Sequence, residues 1–176
     1  MDLNDDYFTL FDLERGFTLS SEALSSRYRE LQRQYHPDRF AHDPDQQKQA
    51  VEWTAHLNQA YQTLASPVLR AAYLLELAGQ PVSLNTSIAD HDFLMSQLEL
   101  REQMDEAAGA HELASLRLEV EEWIHSLSRE FVIDYDEQDW AEARDTVRKL
   151  HFMANFLLDI RAAEDRLDDE DFYDED

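Results

Sequence analysis

His36, Pro37 and Asp38 set an imidazole and a carboxylate on either side of a proline. An imidazole can act as a general base, but that chemistry needs a nucleophile and a partner that orients the ring. The surrounding Leu31-Gln-Arg-Gln-Tyr-His-Pro-Asp-Arg-Phe40 offers neither. A metal-dependent hydrolase built on His36, His42, His56 and the carboxylates would lack any spaced ligand motif such as His-Glu-x-x-His. A simple helix stop explains Pro37 and Asp38 but is indifferent to His36. A rigid polar tip between two helices uses all three residues and suits recognition rather than catalysis.

The elements that position this tip can be read from spacing. Tyr7-Phe-Thr-Leu-Phe11 and Leu13 form a short apolar segment, a helical turn or two. Ser20 or Ser21 is placed to cap the next helix, along which Leu24, Tyr28, Leu31 and Tyr35 make one apolar stripe. Ser26, Arg29 and Arg33 lie opposite that stripe, with Arg27 on a flank. Pro37 ends the helix. Asp43-Pro44 opens another, which carries Ala50, Trp53, Leu57, Ala60, Tyr61 and Leu64 and ends near Ser66-Pro67. Two such helices pack as an antiparallel hairpin joined by an extended loop, with the tripeptide at its tip. A further short helix follows from Val68 to Leu77, closed by Gly79 with Pro81 beyond.

Composition narrows the function. The 176 residues carry a formal charge of −24, with 3 glycines, 4 prolines and no cysteine. So few glycines and prolines favour helices. The absence of cysteine excludes disulfides, thiolate metal sites and a cysteine nucleophile. The charge makes general binding to nucleic acid phosphates unfavourable. No apolar run approaches the roughly 20 residues that span a bilayer, and Met1-Asp-Leu-Asn-Asp-Asp6 has no basic-then-apolar leader pattern. The expectation is a soluble, cytoplasmic, monomeric protein without nucleic-acid or membrane partners. Charge is unevenly spread: residues 1–75 hold 11 acids against 7 bases, and residues 76–176 hold 28 against 8. That division suggests two modules with different partners, and three arginines on one short helix of an acidic chain suggest an acidic protein partner.

The motifs Tyr7-Phe-Thr-Leu-Phe11, Tyr28…Tyr35-His-Pro-Asp-Arg-Phe40 and Leu57-Asn-Gln-Ala-Tyr-Gln-Thr-Leu64 together resemble a J domain, as in DnaJ-type co-chaperones, over about residues 5–75. J domains stimulate ATP hydrolysis by DnaK-class chaperones. The resemblance implies that His36, Pro37 and Asp38 contact the chaperone near its interdomain linker, with Arg27, Arg29 and Arg33 docking on an acidic patch. Asp38 can pair with a partner arginine while Pro37 holds the loop shape. Arg39 stands where a lysine is common, which keeps the charge.

Beyond a linker at residues 79–90, three helical patterns are expected: about Asp92 to Ala108, His111 to Phe131, and Asp136 to Leu167. In the first, Phe93, Leu100 and Met104 suffice for a core face. Leu94, Met95 and Leu98 are surplus to it, and Met95 shares a face with Glu99, Glu102 and Glu106. A wide core stripe would absorb Leu94 and Leu98 but not Met95. An apolar patch rimmed by acids reads instead as a protein-binding surface.

Phe93-Leu-Met-Ser-Gln-Leu-Glu-Leu-Arg-Glu102 and Asp145-Thr-Val-Arg-Lys-Leu-His-Phe152 resemble the C-terminal domain of the HscB family, the J-type co-chaperones of bacterial iron–sulfur cluster assembly. The resemblance covers about residues 5–165. It implies that Leu94, Met95, Leu98, Glu99, Glu102, Glu106 and Phe152 bind the scaffold IscU, and that the chaperone partner is HscA. An aromatic such as Phe152 in the third helix is otherwise a core residue. Mitochondrial relatives can carry N-terminal metal-binding cysteines; none is present, so no metal, cofactor or direct cluster ligation is expected.

The expected fold is all-α: a J-domain helical hairpin (1–78) and linker (79–90) joined to a three-helix scaffold-binding bundle (91–167). The tail 168–176, with seven acids in nine residues, is expected to be disordered. Neither it nor Asp134-Tyr-Asp-Glu-Gln-Asp139 has the spacing and glycine of a calcium loop, and the latter reads as a turn with helix-capping acids. The chain is expected to act as a co-chaperone and not as an enzyme. Two rivals remain: a J protein that delivers general unfolded clients to DnaK, and an acidic regulatory binding protein whose interactions would survive His36→Gln and collapse with salt.

Overall fold

The computed structural model describes the backbone of residues 5–174 and the side chains of residues 5–167. Of the tail expected to be disordered, the backbone of residues 168–174 instead continues the last helix past its expected end near Leu167, and residues 175–176 lie outside the described residues. Among the described residues there are helices and no strand. The chain divides into two compact units, Met1–Ala78 and Gly79–Asp176.

The first unit holds four α-helices: α1 (Tyr7–Leu10), α2 (Ser21–Gln34), α3 (Pro44–Ala65) and α4 (Pro67–Leu77). Each begins at a cap that the local sequence supplies. Asp6 accepts from the amides of Phe8 and Thr9, Ser20 from Ala23, and Asp43 from Asp45 and Gln46. Ser66 closes α3 and caps α4 through Leu69 N, and Pro67 stands at the first helical position, where its missing N–H costs nothing. Phe8 and Phe11, Leu24 and Leu31 of α2, Leu57 and Leu64 of α3, and Leu74 and Leu75 of α4 are all buried and form the core of this unit.

Ring pairs zip α2 to α3. Tyr28 stacks on Tyr61 at 4.1 Å and donates to Asn58 Oδ1 at 2.8 Å, while Tyr35 meets Trp53 edge-on at 4.9 Å. These pairs run in opposite directions along the two helices, so the hairpin is antiparallel and its tip falls just past Tyr35. The connection at that tip is not the simple extended loop expected from the sequence. Pro37–Phe40 form one turn of 3₁₀ helix, because a proline followed by residues free to tighten satisfies i→i+3 bonding, as in Arg39 N to His36 O at 3.0 Å.

The second unit holds α5 (His91–Glu106), α6 (Ala110–Glu137) and α7 (Trp140–Asp174). Val120, Leu127 and Phe131 of α6 pack with Val147, Leu150, Met153, Phe156 and Ile160 of α7, all buried. Arg117 bridges to Glu164 at 3.1 Å and Arg161 to Glu121 at 3.3 Å across the same pair of helices.

Helix α6 runs six residues past its expected end at Phe131, and α7 begins at Trp140 rather than near Asp136. The run Asp134–Asp139 is therefore mostly helix. Tyr135 lies 5.7 Å from both the Phe131 and Trp140 rings, and Thr146 donates to Asp134 Oδ2 at 3.0 Å. That packing outweighs the unfavourable acids at a helix C-terminus. The break comes at Gln138, in the left-handed region at φ 60°, and Asp139 then caps α7 through Glu142 N.

Residues 79–90 are not a free tether. Gly79 takes φ +73°, and the segment is then pinned to α7: Arg144 donates to Gln80 Oε1 at 2.8 Å and Arg148 to Ser83 O at 3.3 Å.

Candidate functional site

Two surfaces carry the residues singled out from the sequence, one in each unit. In the first, His36 is the N-cap of the 3₁₀ turn, and its Nδ1 accepts from Asp38 N at 3.2 Å. Pro37 has no amide hydrogen, so the Asp38 amide is the first that the turn must satisfy. The Asp38 carboxylate is left 88% exposed, with one oxygen 3.6 Å from His36 Nδ1. His36 then lines a concavity of about 1050 Å³ with Ser26, Arg29, Gln32 and Arg33 of α2 and with Arg39.

The three arginines grouped by the sequence are not equivalent here. Arg29 and Arg33 line the concavity and have no acidic partner among the described residues, Arg29 turning its Nε to Ser25 O. Arg27 stands apart and pairs with Glu30 at 2.7 Å. Arg39, dismissed as a charge-conserving variation, joins the concavity and donates through Nη1 to Arg33 O at 3.3 Å. It thereby ties the turn to an orphan carbonyl of the last turn of α2. Its place directly after the tripeptide was the one available hint.

The groups on this surface suit recognition. An imidazole, an exposed carboxylate and the guanidinium groups of Arg29, Arg33 and Arg39, none with an acidic partner among the described residues, fit a partner that offers acids and a cation. Among the described residues, no hydroxyl or thiol that could serve as a nucleophile is hydrogen-bonded to the His36 ring.

The second surface is the outward side of α5. Phe93 and Leu100 supply its core contact, 5% and 3% exposed, whereas Leu94, Met95 and Leu98 are 39%, 46% and 56% exposed. The wide core stripe therefore fails for Leu94 and Leu98, the two residues it would have absorbed, and Met95 is exposed as expected. Glu99, Glu102 and Glu106 are exposed beside them, without an ion pair among the described residues. Phe152 is half-buried on α7, edge-on to Phe93 at 6.0 Å, with the Arg101 guanidinium 5.4 Å above its ring. It sits at the seam of α5 and α7, neither wholly core nor wholly surface.

What fixes the rotation of α5 lies at its N-terminus. Asp90 caps the helix through Phe93 N at 3.0 Å and reaches Lys149 Nζ on α7 at 2.7 Å. Lys149 also meets Asp145 at 3.3 Å and stands 5.8 Å over the Phe93 ring. The hydrogen bond from Lys149, with that from the Phe93 amide, holds the Asp90 carboxyl below its ordinary range. Burial works against the charged ammonium of Lys149, but the hydrogen bonds to Asp90 and Asp145 outweigh it and raise its pKa. With Phe93 locked inward, helical periodicity turns Leu94, Met95 and Leu98 outward.

No helix among the described residues is long and apolar enough to cross a membrane. Comparison with known proteins gives concordant matches for the two units. Residues 6–73 match the family model of the DnaJ domain, and residues 89–161 match that of the HSCB C-terminal oligomerisation domain. A co-chaperone protein HscB homolog of Acinetobacter baumannii is 52% identical over 169 residues, 96% of each chain. Among solved structures, the chaperone HscB from Vibrio cholerae superposes with a TM-score of 0.81 at 34% identity, covering 93% of this chain and 99% of that one. The human co-chaperone protein HscB superposes at 0.86 and 26% identity, covering 93% and 84%.

Proposed function

The chain belongs to the HscB family of J-domain co-chaperones, and from that premise we propose that it stimulates ATP hydrolysis by the DnaK-class chaperone HscA and delivers the scaffold IscU to it during iron–sulfur cluster assembly and transfer. The tripeptide and the Arg29/Arg33 concavity engage HscA. The Leu94, Met95 and Leu98 face, with Glu99, Glu102, Glu106 and Phe152 around it, engages IscU. Every chemical step belongs to the ATPase site of the partner; this chain, in the cytoplasm, contributes proximity by holding two proteins at once.

The observation that carries the reading is the surface of α5. Three large apolar side chains stay exposed on a helix whose core contact is complete without them. They form a compact patch with acids beside it, which suits a folded partner of defined shape better than the varied segments of unfolded clients.

Steady-state ATP hydrolysis by HscA in the presence of IscU tests the proposal. The wild type is expected to stimulate and His36→Gln is not. Met95→Ala and Leu98→Ala are expected to lose the part of the stimulation that depends on IscU. Equal stimulation of a general DnaK with an unfolded client would replace IscU by general delivery. Binding that survives His36→Gln without any stimulation would point to an acidic regulator. The monomer expected from the sequence belongs to the same reading and is checked by sedimentation, since the matched C-terminal family is described by oligomerisation.

A further inference from the structure

We infer that His36 acts on the tripeptide through Nδ1, as the acceptor that shapes the turn and presents Asp38, and that the neutral ring therefore carries its proton on Nε2. The inference deepens the proposed engagement of HscA and rests on it for its activity measurement.

The geometry leaves little freedom. Asp38 N lies 3.2 Å from His36 Nδ1 and donates to it. A proton on Nδ1 would face that N–H donor, so the ring must keep a lone pair there and carry its hydrogen on Nε2. The charged ring would also lose the cap. Its Nδ1–H would turn instead to Asp38 Oδ2, 3.6 Å away, and tie down the carboxylate that now stands free. The other side of the turn is fixed independently, by Arg39 N to His36 O at 3.0 Å and by Arg39 Nη1 to Arg33 O at 3.3 Å. His36 is thus held by the backbone and in turn holds the amide of Asp38. It is a positioning residue for that carboxylate, with Nε2–H the one ring donor left for a partner.

This division of labour separates two substitutions that look alike. The Asn side-chain oxygen is bonded to Cγ, as Nδ1 is, and asparagine is among the best N-caps. The Gln amide lies one bond farther out and imitates Nε2. Asparagine should therefore restore what Nδ1 does, and glutamine should not.

Two measurements on the full-length protein test the inference. In the first, nitrogen-15 NMR of the histidine rings at about pH 8, where histidine side chains are neutral, assigns His36 by comparison with His36→Asn. A protonated Nε2 and a bare Nδ1 are expected; a proton on Nδ1 overturns the inference. In the second, HscA stimulation is compared for wild type, His36→Asn and His36→Gln, with thermal melts to verify that both variants fold. His36→Asn should stay within about threefold of wild type, and His36→Gln should fall by roughly fivefold or more, the scale of a lost N-cap. An asparagine variant no better than the glutamine variant overturns the inference. If the wild type itself fails to stimulate HscA, the proposed function falls, and the ring measurement still decides the tautomer.

Discussion

Asp90 and Lys149 meet at 2.7 Å, and the same Asp90 carboxylate caps α5 through Phe93 N. One acid therefore starts a helix and docks it on α7. The pKa of Asp90 is lowered on folding, so its contribution is present above the ordinary carboxylate range and is lost as pH falls through the lower folded value. The pKa of Lys149 is raised, so its contribution is complete below the ordinary lysine range and is lost as pH rises through the higher folded value. Asp90→Asn keeps a capping oxygen but removes the charge. Its melting temperature should fall a few degrees below wild type at neutral pH, and the two melting curves should converge in acid. Parallel thermal melts from about pH 3 to pH 8 check this; a constant difference across the range would mean that the pair contributes packing and not charge.

The exposed and buried residues of α5 should separate binding from stability. Met95→Ala and Leu98→Ala remove exposed side chains and should leave the melting temperature almost unchanged while weakening IscU binding by about tenfold each, the loss typical of an interface anchor. Phe93→Ala removes a buried ring that touches Trp123 and Phe152 and should cost about 3 kcal/mol of stability. Calorimetric titration with IscU alongside chemical denaturation distinguishes the two effects.

Much of this could be read from the sequence because the signals are local. Ser20, Asp43 and Ser66 are helix caps by type and position, and Leu24 and Leu31, or Leu57 and Leu64, declare their buried face by spacing. The surplus of Leu94, Met95 and Leu98 was legible by counting how little apolar surface one helix needs. The end of α6 was not, since Asp134, Asp136 and Glu137 look like a turn until Tyr135 is seen between Phe131 and Trp140. Nor were the roles of Arg39 and Arg70 legible, beyond the place of Arg39 directly after the tripeptide. Both act on backbone carbonyls, which leave no trace in the pattern of side chains.

Arg70 shows what such a residue contributes. It is buried on α4, donating to Leu64 O at 2.7 Å and to Phe17 O at 2.6 Å, with its guanidinium 5.5 Å over the Phe17 ring. Arg70→Met should lower the stability of the J-domain unit by about 2 kcal/mol, because two carbonyls lose charged donors. Arg70→Lys should recover only part of it, since an ammonium cannot span both carbonyls as the planar fork does. Urea denaturation of the three proteins measures the order; a lysine variant as stable as wild type would show that charge alone suffices.

The arginines of α2 should divide by their partners and not by their order along the helix. Arg29 and Arg33 line the concavity beside His36 without an acidic partner among the described residues, so their charge is available to an acidic partner, in the proposed function HscA. Arg27 is already engaged by Glu30 at 2.7 Å and lies outside that lining. Arg29→Ala and Arg33→Ala should each reduce half-maximal stimulation of HscA by roughly threefold or more at low salt and make it less sensitive to added salt. Arg27→Ala should change both far less. Stimulation measured across a potassium chloride series for the three variants gives the comparison. Equal losses at all three positions would mean that the partner displaces Glu30 and reads α2 as a continuous basic edge.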